Sequence, residues 1–354
     1  MTLYAAFEIL ERYPRVTIIH HVQADGTVWA TAGRAILTSR EAGFQEAARF
    51  PFVAPRDLFG FSRPGARALR ADKANLFVNS SGRLGAVRAG TIYGLGQGGL
   101  APLFRINGDC ALHGGICEDR EGWSYLGEYF MNAARESVRI WRLSPDFSAW
   151  EIAHEFPRGS IRHVHGLYRD PFDPSAVWVT TGDEQGECHI YRTDDRFRTF
   201  ERIGDGSQVW RAVRLFFTAQ HVAWLMDSQD ERNFACRISR SDGRLEVGQT
   251  IDATTWYGIQ TTDGLYLAFT TVEAGTGIQR KESAVLVSAD AFEWQEVHTF
   301  RKDAWRPMKV FKNGILICPS GPMTSQNLYL SGEGLRGLDG QSLRVRIRWE
   351  NRDA

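Results

Sequence analysis

Three stretches of the sequence repeat one pattern and decide the fold. They are Ile140-Trp-Arg-Leu-Ser-Pro-Asp-Phe-Ser-Ala-Trp150, Ile190-Tyr-Arg-Thr-Asp-Asp-Arg-Phe-Arg-Thr-Phe200 and Val285-Leu-Val-Ser-Ala-Asp-Ala-Phe-Glu-Trp294. In each, an apolar strand runs into a turn in which a Ser or Thr is followed two residues later by Asp, and aromatic residues come next. Because hydroxyl and carboxylate side chains bond back to turn amides, we expect each stretch to join two antiparallel strands.

Weaker copies of this marker recur along the chain. Ser39 with Glu41 forms one, and degenerate copies lie at Ser239 and Ser331. The six markers, at 39, 144, 193, 239, 288 and 331, are 105, 49, 46, 49 and 43 residues apart. The first gap holds two periods, with a strand at 83–88 and a turn at Ala89-Gly90 between them. A period of this length predicts an all-β, seven-bladed β-propeller, with a six-bladed ring carrying an irregular second unit as the alternative.

The remaining sequence fits one β-propeller domain over residues 1–354. Short runs of β-branched and aromatic residues, bounded by turn formers, fill it, and only 3–12 and 41–50 have a pattern compatible with helix. The strand 343–349 alternates and is the candidate for closing the ring. The expected blades are 16–58, 59–108, 109–159, 160–208, 209–253, 254–304 and 305–354, and we read four strands in the fourth of them, at 161–168, 176–181, 188–192 and 199–203.

Composition excludes several classes of function. The 42 Lys and Arg balance the 42 Asp and Glu, which argues against nucleic acid as a partner. No apolar run is long enough for a membrane span, and the first sixteen residues lack the apolar core of a secretory signal, so we expect a cytoplasmic protein. The five cysteines are interpreted as reduced packing residues, since Cys110, His113 and Cys117 do not match a zinc spacing.

The Ser-x-Asp turn followed by an aromatic resembles the Asp-box (BNR, sialidase-like) repeat. This resemblance covers most of the chain, at Ser144, Thr193 and Ser288 in particular. It implies that each turn joins the third and fourth strands of a propeller blade and that the aromatic packs between blades. The repeat occurs in hydrolases, lyases and binding propellers, so it indicates a fold and leaves the reaction open.

The first strand of each propeller blade lines the central channel, so polar residues that recur there are candidate site residues. One three-residue pattern recurs at the expected innermost strands, with a looser copy in the second blade. It is an apolar residue, then His, Arg or Tyr, then mostly a small residue. The central residues are His113, His165, Arg211, Tyr257 and Arg306, with Arg63 as the looser copy. So many cations at one mouth indicate an anionic ligand.

Carboxylates end the expected second strands at the same mouth. They are Glu128, Asp183, Glu184, Asp227 and Glu273. His163 lies two residues before His165, so both side chains point to the same side of a strand. One histidine orients the other, or both bind a divalent metal; no other cofactor is expected.

Resemblance to propeller polysaccharide lyases implies roles for these residues. Arg211 and Arg306 would clamp the carboxylate of an acidic, uronate-containing oligosaccharide or polysaccharide, with His165 or His113 as base and Tyr257 as base or acid. Arg63, His163, Asp183, Glu184 and Glu128 would complete substrate binding.

Two alternatives stay open beside this lyase reading. One is a sialidase-like glycoside hydrolase, although the Arg-Ile-Pro segment typical of sialidases is absent. The other is a non-catalytic propeller that binds a glycan or a protein. The sequence favours an enzyme without excluding the binding module, and it leaves the sugar and the linkage open.

Overall fold

The computed structural model describes residues 3–40 and 43–351. Within these ranges the chain forms seven four-stranded antiparallel sheets, so the fold is a seven-bladed β-propeller and the six-bladed alternative is wrong. The expected acid Glu41 lies outside the described residues. No helix in the described part of the chain is long and apolar enough to span a bilayer.

Six sheets are built from consecutive strands. Their bounds are β2 (Ile18–Val22), β3 (Val28–Ala32), β4 (Ala35–Ser39) and β5 (Gln45–Arg49); β6 (Asn75–Val78), β7 (Leu84–Arg88), β8 (Thr91–Gly96) and β9 (Gly99–Arg105); β10 (Ile116–Glu118), β11 (Ser124–Gly127), β12 (Val138–Leu143) and β13 (Trp150–Phe156); β14 (His163–Arg169), β15 (Val177–Gly182), β16 (Cys188–Thr193) and β17 (Glu201–Gly206); β18 (Ala212–Phe217), β19 (His221–Met226), β20 (Asn233–Ser239) and β21 (Leu245–Ile251); and β22 (Thr254–Gln260), β23 (Tyr266–Thr271), β24 (Glu282–Ser288) and β25 (Gln295–Arg301).

The seventh sheet combines the two ends of the described chain. Its order is β1 (Leu3–Tyr13), β28 (Gln341–Asn351), β27 (Leu328–Glu333) and β26 (Ile315–Ile317). The predicted helical pattern at 3–12 is wrong, because Ala5, Phe7 and Ile9 alternate along β1 and pack against a buried core while the backbone pairs with β28. The other stretch with a helix-compatible pattern, 41–50, is likewise a strand over its described part, where β5 pairs with β4.

Two short helices interrupt the strands. Helix α1 (Arg63–Ala68) begins after Ser62, whose side chain accepts a hydrogen bond from the Gly65 amide, and has proline in its first turn. Helix α2 (Met308–Phe311) follows Pro307. Two 3₁₀ turns, Arg56–Leu58 and Gln208–Trp210, complete the elements of the described ranges.

The chain divides into two compact units, Met1–Asp72 with Gln229–Ala235 and Glu246–Ala354, and Lys73–Ser228 with Cys236–Leu245. The first unit has a core that includes Ile19, Leu267, Leu316 and Val345. The second has apolar clusters around Leu167 and Val179 and around Val87 and Leu126. All five cysteines are free thiols, as expected.

The three marker turns are equivalent, as predicted. Each lies between the third and fourth strands of its sheet, and in each the hydroxyl of Ser144, Thr193 or Ser288 donates to the Asp two residues later, at 2.7, 3.0 and 2.9 Å. That Asp also accepts turn amides, such as Ser148 N at 3.1 Å. In each of the three turns an aromatic ring reaches the preceding sheet. Phe147 lies 5.9 Å from Phe77, and Phe197 lies 5.3 Å from Tyr125, between ring centroids, and the ring of Phe292 packs against Gly248 of β21.

Candidate functional site

Two of the predicted histidines lie together at the start of β14. His163 and His165 are only 2% and 3% exposed, and their side chains share one face of the strand, as the spacing predicts. Their Nε2 atoms are 3.2 Å apart. The ring of Tyr129 lies against His163, with 4.2 Å between ring centroids.

Backbone carbonyls fix the tautomer of both imidazoles. His163 Nδ1 lies 2.9 Å from the carbonyl of Phe130, and His165 Nδ1 lies 2.9 Å from the carbonyl of Ala212. A carbonyl oxygen only accepts, so each Nδ1 carries the proton. In the neutral form, both Nε2 atoms therefore present lone pairs to each other.

Asp183 completes the group from the residue after β15. Its Oδ1 lies 3.1 Å from His165 Nε2, and its Oδ2 lies 3.3 Å from His163 Nε2. The same carboxylate pairs with Arg211 Nη2 at 2.9 Å and with Arg162 Nη1 at 3.0 Å. Two imidazoles and one carboxylate thus converge within the second unit, and two arginines hold the carboxylate in place.

Burial sets the charge of this cluster. It lowers the pKa of His165, and the neighbouring Asp183 offsets only part of that effect, so the imidazole is neutral near pH 7. The guanidiniums of Arg211 and Arg162 pair with the carboxylate of Asp183 and stabilise its charged form. The carboxylate is therefore ionised and accepts only.

Other predicted carboxylates have structural or peripheral positions. Glu128 is fully buried, and its oxygens accept from the amides of Asn107 and Arg139 and from the indole of Trp141. Glu184 has a side chain that is 62% exposed and lies 3.7 Å from Arg162. Asp227 is buried and lies 3.4 Å from Arg211 Nε. Glu273, in the first unit, accepts hydrogen bonds from Thr254 and Gln229.

The remaining predicted cations do not occupy the expected innermost strands. Arg63 lies on α1 and pairs with Asp72 and Asp339, a position that the Ser62 cap and the following proline indicate in the sequence. Arg306 is exposed in the loop before α2 and donates to the Asp303 and Trp305 carbonyls.

His113 lies in a turn before β10, and Arg211 directly precedes β18. Tyr257 does lie on an innermost strand, β22, but is 6% exposed in the core of the first unit.

Arg162 is the site residue that the sequence reasoning missed. It directly precedes the first histidine, and its guanidinium pairs with Asp183. The Arg162-His163-Val-His165 string offered a signal, because a guanidinium at the start of a buried strand requires an anion nearby.

No protein-family model and no curated protein sequence matches this chain. Solved structures share its fold at low identity. Virginiamycin B lyase from Staphylococcus aureus is 15% identical, covers 98% of this chain and 99% of its own, and has a TM-score of 0.58. The AfRom2 CNH domain is 10% identical over 98% of this chain and 100% of its own, with a TM-score of 0.56. YCF48 bound to the D1 peptide is 11% identical over 97% of each chain, with a TM-score of 0.55.

Proposed function

We propose that the protein is a cation-dependent lyase that acts on an acidic, uronate-containing glycan at the cluster of His163, His165 and Asp183. The carrying observation is the convergence of two imidazole lone pairs and one carboxylate. Three acceptors at such short range repel one another unless a positive centre lies between them.

The spacing of the donor atoms fits a divalent transition-metal ion. Their separations are 3.1, 3.2 and 3.3 Å. Tetrahedral ligands at about 2.0–2.1 Å from a metal are about 3.3 Å apart. The carbonyls of Phe130 and Ala212 orient the two imidazoles, and Arg162 and Arg211 orient the carboxylate, as outer-sphere partners do in metal sites.

The chemistry of elimination from a uronate agrees with this site. A divalent cation withdraws charge from a substrate carboxylate and so acidifies the carbon that bears the departing proton. His163, His165 and Asp183 then act as ligands, and the proton acceptor belongs to another group. His113, which belongs to the same unit, stays a prediction for that role. Virginiamycin B lyase, which has the same fold, is a lyase by name.

We also assign the three marker turns to the Asp-box type. The support is the hydrogen bonding of Ser144 and Asp146 and its repetition at Thr193 and Ser288. This assignment concerns the family and is independent of the reaction.

The test combines metal binding with product analysis. Protein stripped with a chelator is titrated with Zn²⁺ and Mn²⁺, then incubated with a panel of uronate glycans while ultraviolet absorbance of unsaturated ends and release of reducing sugar are recorded. We expect stoichiometric binding and metal-dependent absorbance in the unmodified protein, and loss of both in His165→Ala and His163→Gln. His154→Gln is the matched control, because His154 lies between Phe156 and Phe200 in the same unit and outside the cluster.

Each other outcome contradicts part of the proposal. Reducing ends without absorbance identify a hydrolase. Metal binding without either product identifies a binding propeller. Absence of metal binding, or equal binding in His165→Ala, overturns the cation site.

A further inference from the structure

Arg214 differs from the other arginines near the cluster in having no anionic partner. It lies on β18, two residues after Ala212, whose carbonyl fixes His165. Arg162 and Arg211 are both paired with Asp183. In the described part of the chain, no carboxylate pairs with Arg214, and its buried Nε has no hydrogen-bond partner.

Aromatic rings hold this guanidinium instead of carboxylates. Its Cζ lies 5.1 Å from the centroid of Tyr168 and 5.9 Å from that of Phe216. Tyr168 is itself fixed, because its hydroxyl donates to the Val213 carbonyl. Stacking over aromatic faces positions a guanidinium while leaving its outward N–H groups available for a planar anion.

Arg214 lies beside the turn that carries the predicted site residue His113. Its Nη1 is 3.9 Å from where a Cβ on Gly114 would lie, so the turn of His113 and Gly114 adjoins the guanidinium. Gly114 has a φ of +71°, which favours glycine and keeps side-chain bulk away. Arg214 is only partly exposed, while its neighbours Val213 and Leu215 are buried.

From this geometry we infer that Arg214, not Arg211, binds the carboxylate of the anionic substrate. The inference rests on the proposed function for the identity of the substrate. A guanidinium without a counter-ion gains most from a bidentate carboxylate, whereas Arg211 would first have to release Asp183 and Asp227. Arg214 is thus a specificity-determining residue for charged over neutral sugars.

Calorimetric titration with a uronate trisaccharide and its methyl ester tests this role. The unmodified protein is expected to bind the acid more tightly than the ester. Arg214→Met, which keeps an apolar side chain over Tyr168, should lose that preference by tenfold or more, and Arg214→Lys should retain part of it because it keeps the charge without the fork. Arg142→Ala is the control, since Arg142 also stacks on an aromatic ring, Trp123, but is paired with Glu151.

The outcomes separate this inference from the proposed function. An unchanged acid preference in Arg214→Met, with metal-dependent product formation intact, overturns the role of Arg214 alone. Loss of the preference in a protein that forms no product supports the anion site and contradicts the lyase. Equal binding of acid and ester by the unmodified protein, or binding of neither, overturns the inference. Thermal unfolding of each variant shows whether it is folded. If Arg214→Met does not fold, the acid-over-ester preference of Arg214→Lys tests the inference instead.

Discussion

Asp183 is the residue that balances the charge of the candidate site. It faces two arginines, and the side chains of Arg211 and Arg162 are only 8% and 18% exposed. Asp183→Asn leaves both guanidiniums without their shared anion, so we expect the free energy of unfolding to fall by about 3 kcal/mol. Denaturant unfolding measures this. Asp194→Asn, which removes an exposed partner of Arg192, should cost less than about 1 kcal/mol. Equal losses in the two variants would contradict the buried-pair interpretation.

Arg211, which the sequence predicts as a substrate clamp, is held by carboxylates of the protein itself. As a substrate clamp, its loss should weaken the binding of charged ligands. In the structure its guanidinium is paired with Asp183 and Asp227, and it donates to the Asp183 carbonyl. The effect of Arg211→Ala therefore falls first on the stability of the fold.

Asp146 makes the stability contributed by one marker turn depend on pH. Hydrogen bonds from Ser144 and then from Ser148 lower the pKa of Asp146 below its ordinary value. Since the folded-state pKa is depressed, the stabilisation is present above the unfolded pKa of about 4 and is lost as pH falls through the folded value. We expect Asp146→Ala to unfold at lower temperature than the unmodified protein at pH 7, and the two melting temperatures to converge in acid. Glu201→Ala, on the exposed start of β17, should show no such convergence.

At the scale of elements, the aromatic after each marker turn connects neighbouring sheets. Phe197 is 6% exposed and contacts Tyr125 of the preceding sheet as well as Phe200. Phe197→Ala leaves a cavity there, so we expect a loss of about 3–5 kcal/mol in the free energy of unfolding. Phe172→Ala, at a side chain that is 51% exposed, serves as the control and should change stability little. A loss below about 1 kcal/mol in Phe197→Ala would contradict this packing role.

The elements differ in how much of them the sequence reveals. The fourth blade was readable to within three residues at each strand boundary, because its strands are apolar and its turns carry Ser, Thr, Asp and Gly. Strand β5 was not, since its side chains are mostly exposed and polar and only pairing with β4 defines it. Local sequence does not record such pairing.

The site was readable only in part, for a similar reason. His163 and His165 share a strand face, so their spacing predicts their proximity. A carboxylate from a neighbouring sheet decides which arginine is neutralised, as Asp183 does for Arg211 and no carboxylate does for Arg214 in the described residues. A local sequence pattern does not contain such contacts between sheets.

For the whole molecule, the pairing of β1 with β28 is the decisive contact of the last sheet. The register runs from Leu3 opposite Asn351 to Tyr13 opposite Ser342. Removing residues 1–13 exposes the backbone of β28 along a long edge, so we expect a lower melting temperature and concentration-dependent aggregation. Thermal unfolding with light scattering measures both.

Glu8→Ala tests the surface ion pairs of β1 independently of its strand pairing. It removes the ion pairs with Arg346 and Arg348 and keeps the strand, so its melting temperature should stay near that of the unmodified protein. If the truncated chain melts like the full one, β1 is dispensable.

Because β1 and β28 are paired, the fold does not require the chain to start at β1. Leu3 and Asn351 are ladder partners, so their Cα atoms lie about 5 Å apart. A short flexible linker can therefore join the two ends, and new ends can be opened at the turn between β8 and β9, where Gly98 has no neighbouring atom to displace. Such a circular permutant should regain the same seven sheets, because every strand keeps its neighbours while only the starting point of the chain moves.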